Sequence, residues 1–135
     1  MAKIENNMIN KNRYSLFLKK HLNLSDFPKN KKILITGCSG FIGQYLVECL
    51  AEIFKGKNLK VYGIDIMGLT GKYKNFTFYK RDLYRLKKTD IPKIKYDYII
   101  HLAGIPSPVY YKKHPLRTIY LNAELTRELL EISKK

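Results

Sequence analysis

The chain has no tryptophan and only two cysteines, and it is poor in acidic residues. Its 11 Asp and Glu stand against 26 Lys and Arg, giving a formal net charge of +15 over 135 residues. Cys38 and Cys49 form no C-x-x-C pair, and no Cys/His group has zinc-site spacing. A disulfide scaffold and a zinc module are therefore excluded, and both cysteines are expected to stay thiols in a reducing compartment. No apolar run is long enough to cross a bilayer. The opening stretch MAKIENNMINKNRYSLFLKK lacks the unbroken apolar core and small-residue cleavage site of a signal peptide. The expected location is the cytoplasm, with no membrane partner.

A hydrophobic content of 45% is that of a globular chain, and the length suits one domain with a single core. The lysines are spread along the whole sequence and read as solvated surface residues. No nucleic-acid-binding motif accompanies them, so a nucleic-acid partner is not expected. A basic surface would still draw in a small anionic ligand.

Two regions stand out. Residues 1–30 read as a basic N-terminal extension in which Tyr14, Phe17, Leu18 and Leu22 could line one face of a short helix, ended by Ser25, Asp26 and Pro28. Residues 31–135 alternate strands with helices. Lys32–Thr36, Leu59–Asp65, Phe76–Arg81 and Tyr96–Leu102 read as strands. Phe41 to about Phe54 reads as a helix with Ile42, Leu46, Cys49 and Ile53 on one face and Gly56 as its stop. A last helix from about Leu116 to Ser133 carries the stripe Leu121, Leu125, Leu129, Ile132. The expected fold is α/β, a partial doubly wound parallel sheet of about four strands in the order 3-2-1-4 with flanking helices. Its fourth strand would form an apolar edge, which leads us to expect the front part of a larger, truncated protein or one with an obligate partner.

The chemistry-bearing motif is Thr36-Gly37-Cys38-Ser39-Gly40-Phe41-Ile42-Gly43, between the first strand and its helix. Free N–H groups at a helix N-terminus hold a pyrophosphate, and glycine lets the backbone turn tightly and approach it. Gln44 follows Gly43, which rules out a Walker-type loop. Asp65 ends the second strand at the distance past the glycines where a carboxylate accepts both adenosine ribose hydroxyls. It would repel a 2′-phosphate, so NAD is expected over NADP.

The G-x-x-G-x-x-G pattern resembles that of short-chain dehydrogenases with a Rossmann fold. The fuller string TGCSGFIG resembles their extended branch, the NAD-dependent nucleotide-sugar epimerases, dehydratases and decarboxylases. Arg81-Asp82-Leu83, His101-Leu102-Ala103-Gly104 and NAELTRELLE from Asn122 to Glu131 look like further segments of that branch, over residues 31–135. Ser107-Pro108, Tyr111, Pro115 and Thr118 are similar to a segment of the UDP-glucuronate decarboxylases. Tyr120 and Leu121 stand where those lyases tend to carry Lys and Thr, and Leu125 replaces a helix glycine. The resemblance implies NAD as cofactor. Gly37, Gly40, Phe41, Ile42 and Gly43 would lie at the pyrophosphate, Asp65 at the ribose, and Asp82 and Leu83 at the adenine. Leu102, Ala103 and Gly104 would run beneath the cofactor. It also implies a nucleotide-sugar substrate for the full-length parent, and a homodimer through the last helix.

In that family, Tyr-x-x-x-Lys and a nearby Ser or Thr move the hydride's companion proton, after a fifth strand that this chain lacks. The one literal match, Tyr84 to Lys88, follows the third strand on the adenine side and reads as chance. His101, inside an apolar strand, is expected to be structural. No catalytic residue and no metal ligand is assigned, and the chain alone is expected not to turn over substrate. The alternatives are a stand-alone nucleotide-binding module or subunit and, less favoured, a basic nucleic-acid-associated protein.

Overall fold

The computed structural model describes residues 20–21, 29–54, 56–69, 71–85 and 91–134. The expected helical stretch Arg13–Leu24 lies outside them but for Lys20 and His21. Four strands, β1 (Lys32–Thr36), β2 (Lys60–Asp65), β3 (Phe76–Lys80) and β4 (Tyr98–His101), form one sheet in the order β3-β2-β1-β4. All three pairings are parallel, as crossover connections require.

The sheet is covered on both faces because β1 is apolar on both. Leu34 points into a core with Ile64, Tyr96, Leu121, Leu125 and Leu129. Ile33 and Ile35 point the other way, toward Val47, Leu50, Phe54 and Leu59. The second core is roofed by helix α1 (Phe41–Ile53). Its inward face differs from the expected one. Gly43, Val47, Leu50 and Phe54 are buried, whereas Ile42 is 65% exposed and Leu46 and Cys49 are half-buried; the side chain of Ile53 lies outside the described residues. Helix α1 ends with the Phe54 amide donating to the Leu50 carbonyl, and Gly56 does not take the left-handed conformation of a glycine stop.

The first core is closed by the C-terminal helices, where the expected single helix is three pieces preceded by an unexpected fourth. Pro108–Lys113 (α2) and Pro115–Ile119 (α3) each begin on a proline, the position where a missing N–H costs nothing. A wide turn at Tyr120–Glu124 then leads into α4 (Leu125–Ser133). Leu121, Leu125 and Leu129 are buried, as their spacing predicts.

The parallel order also sorts the charges. The starts of β2, β3 and β4 set a buried or half-buried apolar residue beside exposed lysines. Lys93 and Lys95 flank Ile94 before β4, Lys72 and Lys74 flank Tyr73 before β3, and Lys60 follows Leu59 at β2. Lys31 and Lys32 open β1, and Lys32 lies beside Lys60 in register. These segments are tied by backbone bonds of 2.9 Å from Lys60 N to Lys31 O, Val61 N to Asn75 O and Asp97 N to Lys32 O. Lysines dispersed along the sequence thus meet at one end of the sheet.

Candidate functional site

The opposite end, where the strands finish, holds a cavity of about 720 Å³, within the size range of small-molecule sites. Every residue singled out for cofactor binding lines it: Gly37, Gly40, Phe41, Ile42 and Gly43 from the glycine turn, Asp65 from β2, Asp82 and Leu83 after β3, and Leu102, Ala103 and Gly104 after β4. Ser39, Met67, Arg81, Arg117 and Asn122 join them.

The glycine turn is shaped by its neighbours. Gly37 has φ +72°, and a Cβ there would lie 2.6 Å from the Ala103 amide nitrogen. A Cβ on Gly43 would lie 2.3 Å from the Gly37 carbonyl oxygen. No side chain is compatible with either position, so the turn, the start of α1 and the end of β4 pack backbone to backbone. Gly40 caps α1 without a side-chain bond and no acidic residue lies in the first turn. The first helical amides are therefore free to meet an anion at the positive end of the helix dipole.

Asp65, 9% exposed, locks this turn to β2. Its Oδ2 accepts from Ser39 N and its Oδ1 from Met67 N, both at 2.9 Å. A carboxylate has about four acceptor sites, so each oxygen keeps one for a diol, and no lysine or arginine among the described residues pairs with it.

Arg117, which sequence reasoning missed, shapes the far wall. Its NH2 donates to both oxygens of Asp82 at 2.6 and 2.7 Å, and its guanidinium lies 5.0 Å from the centre of the Tyr84 ring. Tyr84 N also donates to Asp82 at 3.0 Å. Burial pushes the Asp82 carboxyl up, but these bonds and the arginine's charge outweigh it and hold it below the usual carboxylate range. Tyr84 itself packs edge-on against Tyr120, while Lys88 of the Tyr-x-x-x-Lys match lies outside the described residues.

His101 is engaged on both sides. Nε2 donates to the Leu121 carbonyl at 2.9 Å, which leaves Nδ1 to accept from the Thr36 hydroxyl at 2.6 Å. In an α-helix the Leu125 amide would take the Leu121 carbonyl. Here it takes that of Tyr120, and the histidine satisfies the one passed over. Cys38, wholly buried, has its thiol pushed up to about 11 by burial and then by the charge of Asp65, the opposite of a reactive thiol. Among the described residues no three His, Cys, Asp or Glu side chains are grouped to hold a metal, and no helix is long and apolar enough to cross a membrane.

A parallel sheet with helices on both faces, a glycine turn at the first crossover and an acid closing the second strand defines a Rossmann-type domain. Residues 33–135 match the model of the NAD dependent epimerase/dehydratase family. The chain belongs to that family. Among curated relatives, it is 34% identical over 120 residues to the bifunctional polymyxin resistance protein ArnA of Wigglesworthia glossinidia brevipalpis, covering 84% of this chain and 18% of the relative. It is 34% identical over 110 residues to UDP-glucuronic acid decarboxylase 6 of Arabidopsis thaliana, covering 81% and 32%. The chain thus spans a third or less of these relatives. A solved short-chain dehydrogenase from Leptospira borgpetersenii with bound NAD+ shares the fold at a TM-score of 0.60 and 23% identity, over 83% of this chain and 48% of that one.

Proposed function

We propose that residues 31–135 are the NAD-binding part of a nucleotide-sugar-modifying enzyme of the UDP-glucuronate decarboxylase type, and that this chain alone binds the cofactor without turning over substrate. The observation that carries the reading is Asp65. It is a nearly buried carboxylate with acceptor capacity to spare, fixed on the glycine turn at the floor of the cavity. The ribose diol would meet Asp65, and the pyrophosphate would meet the open amides at the start of α1. The adenine would lie along Asp82 and Leu83, and Leu102 to Gly104 would support the rest. Bound NAD supplies a hydride acceptor. This chain's residues hold and orient it and keep a 2′-phosphate away from Asp65. The relatives named as decarboxylases support a lyase, and a nucleotide sugar as substrate. Both cysteines are free thiols, which suits a cytoplasmic location. The exposed Leu130 on α4 suits a homodimer of the parent.

Calorimetric titration tests the reading. NAD should bind, and NADP roughly a hundredfold or more weaker, because a phosphate facing a carboxylate costs several kcal/mol. Asp65→Asn should weaken NAD binding about 10- to 100-fold, the worth of a lost charge-assisted hydrogen bond. Equal affinity for the two cofactors, or carbon dioxide release from UDP-glucuronate by this chain alone, would overturn it.

A further inference from the structure

The end of the sheet opposite the cavity carries a separate signal. Lys60, Lys74, Lys93 and Lys95 are exposed there beside Lys31 and Lys32. Among the described residues of the four segments that lead into the strands, the single acidic one is Asp97, and its carboxylate is taken by Lys31 Nζ and Lys32 N at 2.9 Å. Among the described residues, no carboxylate pairs with Lys60, Lys74, Lys93 or Lys95. Lys32 and Lys60 sit side by side on neighbouring strands, an arrangement that repels itself.

We propose that this lysine face docks the phosphate backbone of nucleic acid without regard to base sequence. Lysine is a compact, mobile point charge suited to phosphate, and none of these segments contains an arginine, whose planar fork is preorganised for bidentate contact with a base edge. The backbone bonds between the segments hold the charges on one platform. With strands about 4.8 Å apart it is about 15 Å across, wide enough to meet several phosphates of a duplex that carries one charge per roughly 1.7 Å. A lipid surface fits less well. Tyr98 is the one large apolar side chain exposed among the described residues at this end, so nothing there would insert between acyl chains. The inference uses no cavity residue and stands apart from the cofactor reading.

The test is fluorescence anisotropy of a mixed-sequence DNA duplex titrated with the whole chain between about 50 and 200 mM salt. The variant Lys60→Gln, Lys74→Gln, Lys93→Gln, Lys95→Gln should lose roughly a hundredfold in affinity at low salt, and its slope of log affinity against log salt should flatten by about 3 to 4 units. A charge-matched variant with Lys80, Lys112, Lys113 and Lys134 each changed to Gln should keep the wild-type slope to within about one unit. Equal losses in the two variants would overturn the proposal, as would duplex binding indifferent to salt. So would lysine-dependent binding to phosphatidylserine vesicles with none to the duplex.

Discussion

Asp82 and Arg117 lie 35 residues apart in sequence and share one ion pair with both carboxylate oxygens engaged. Their side chains are 43% and 32% exposed, so water screens the attraction and the pair is worth about 0.5–1 kcal/mol. The folded carboxyl titrates below its ordinary range, which fixes the sign of its pH dependence. The contribution is whole above the unfolded carboxylate pKa and fades as pH falls through the folded one. Arg117→Met should therefore cost about 1 kcal/mol at neutral pH. Thermal melts repeated between pH 7 and pH 3 should show the gap to wild type narrowing below about pH 4. A gap that stays constant would mean that the stacking of Arg117 on Tyr84, not its charge, is what matters. Nothing local announces this pair: an Arg-Asp-Leu after a strand and an arginine in a short helix are unremarkable until the fold brings them together.

At the scale of elements, the sequence made the sheet legible and the helices less so. Strand runs bounded by turn residues gave all four strands, β1 to the residue and the other three trimmed by one to three residues at the ends, where boundaries fray. Alternation with helices gave their order. The face of α1 was misread because Phe41 and Ile42 are apolar yet open onto the cavity mouth, 81% and 65% exposed. Counting apolar residues then rotates the face by one position away from Gly43 and Val47. Pro108 and Pro115 look like breakers in sequence, but they start helices. The wide turn at Tyr120–Glu124 has no local signature, and we attribute its cause to His101 on β4, which takes the Leu121 carbonyl. That cause is testable: His101→Phe fills a similar space but leaves the Leu121 carbonyl and the Thr36 hydroxyl without their ring partners. Urea denaturation should show a loss of about 1–3 kcal/mol. An unchanged midpoint would mean that the helix re-forms an ordinary turn by itself. The glycine turn and Asp65 as linings of the cavity were legible for a different reason. Glycines at a strand-to-helix junction and an acid at the next strand end are dictated by backbone geometry, which sequence spacing records directly.

Taken whole, the molecule has two unlike ends, a cavity where the strands finish and a lysine platform where they start, joined by a sheet with one core on each face. Both cores meet at β1, and Cys38 sits just beyond it, wholly enclosed in the second core. Its thiol is kept protonated, near a pKa of about 11, and out of contact with water. Cys49, on the neighbouring helix, is half-buried and its thiol is raised by burial and by Glu48. An alkylating reagent at neutral pH should therefore mark Cys49 in the intact protein. It should mark Cys38 only in the small fraction of molecules that have come open at any instant. Mass spectrometry of that second mark against time turns Cys38 into a clock built into the chain, one whose pace follows the fraction of molecules standing open. A molecule that grips the glycine turn should slow it, and so should one that settles on the lysine platform, each in proportion to how much more tightly it holds the closed domain than the open one.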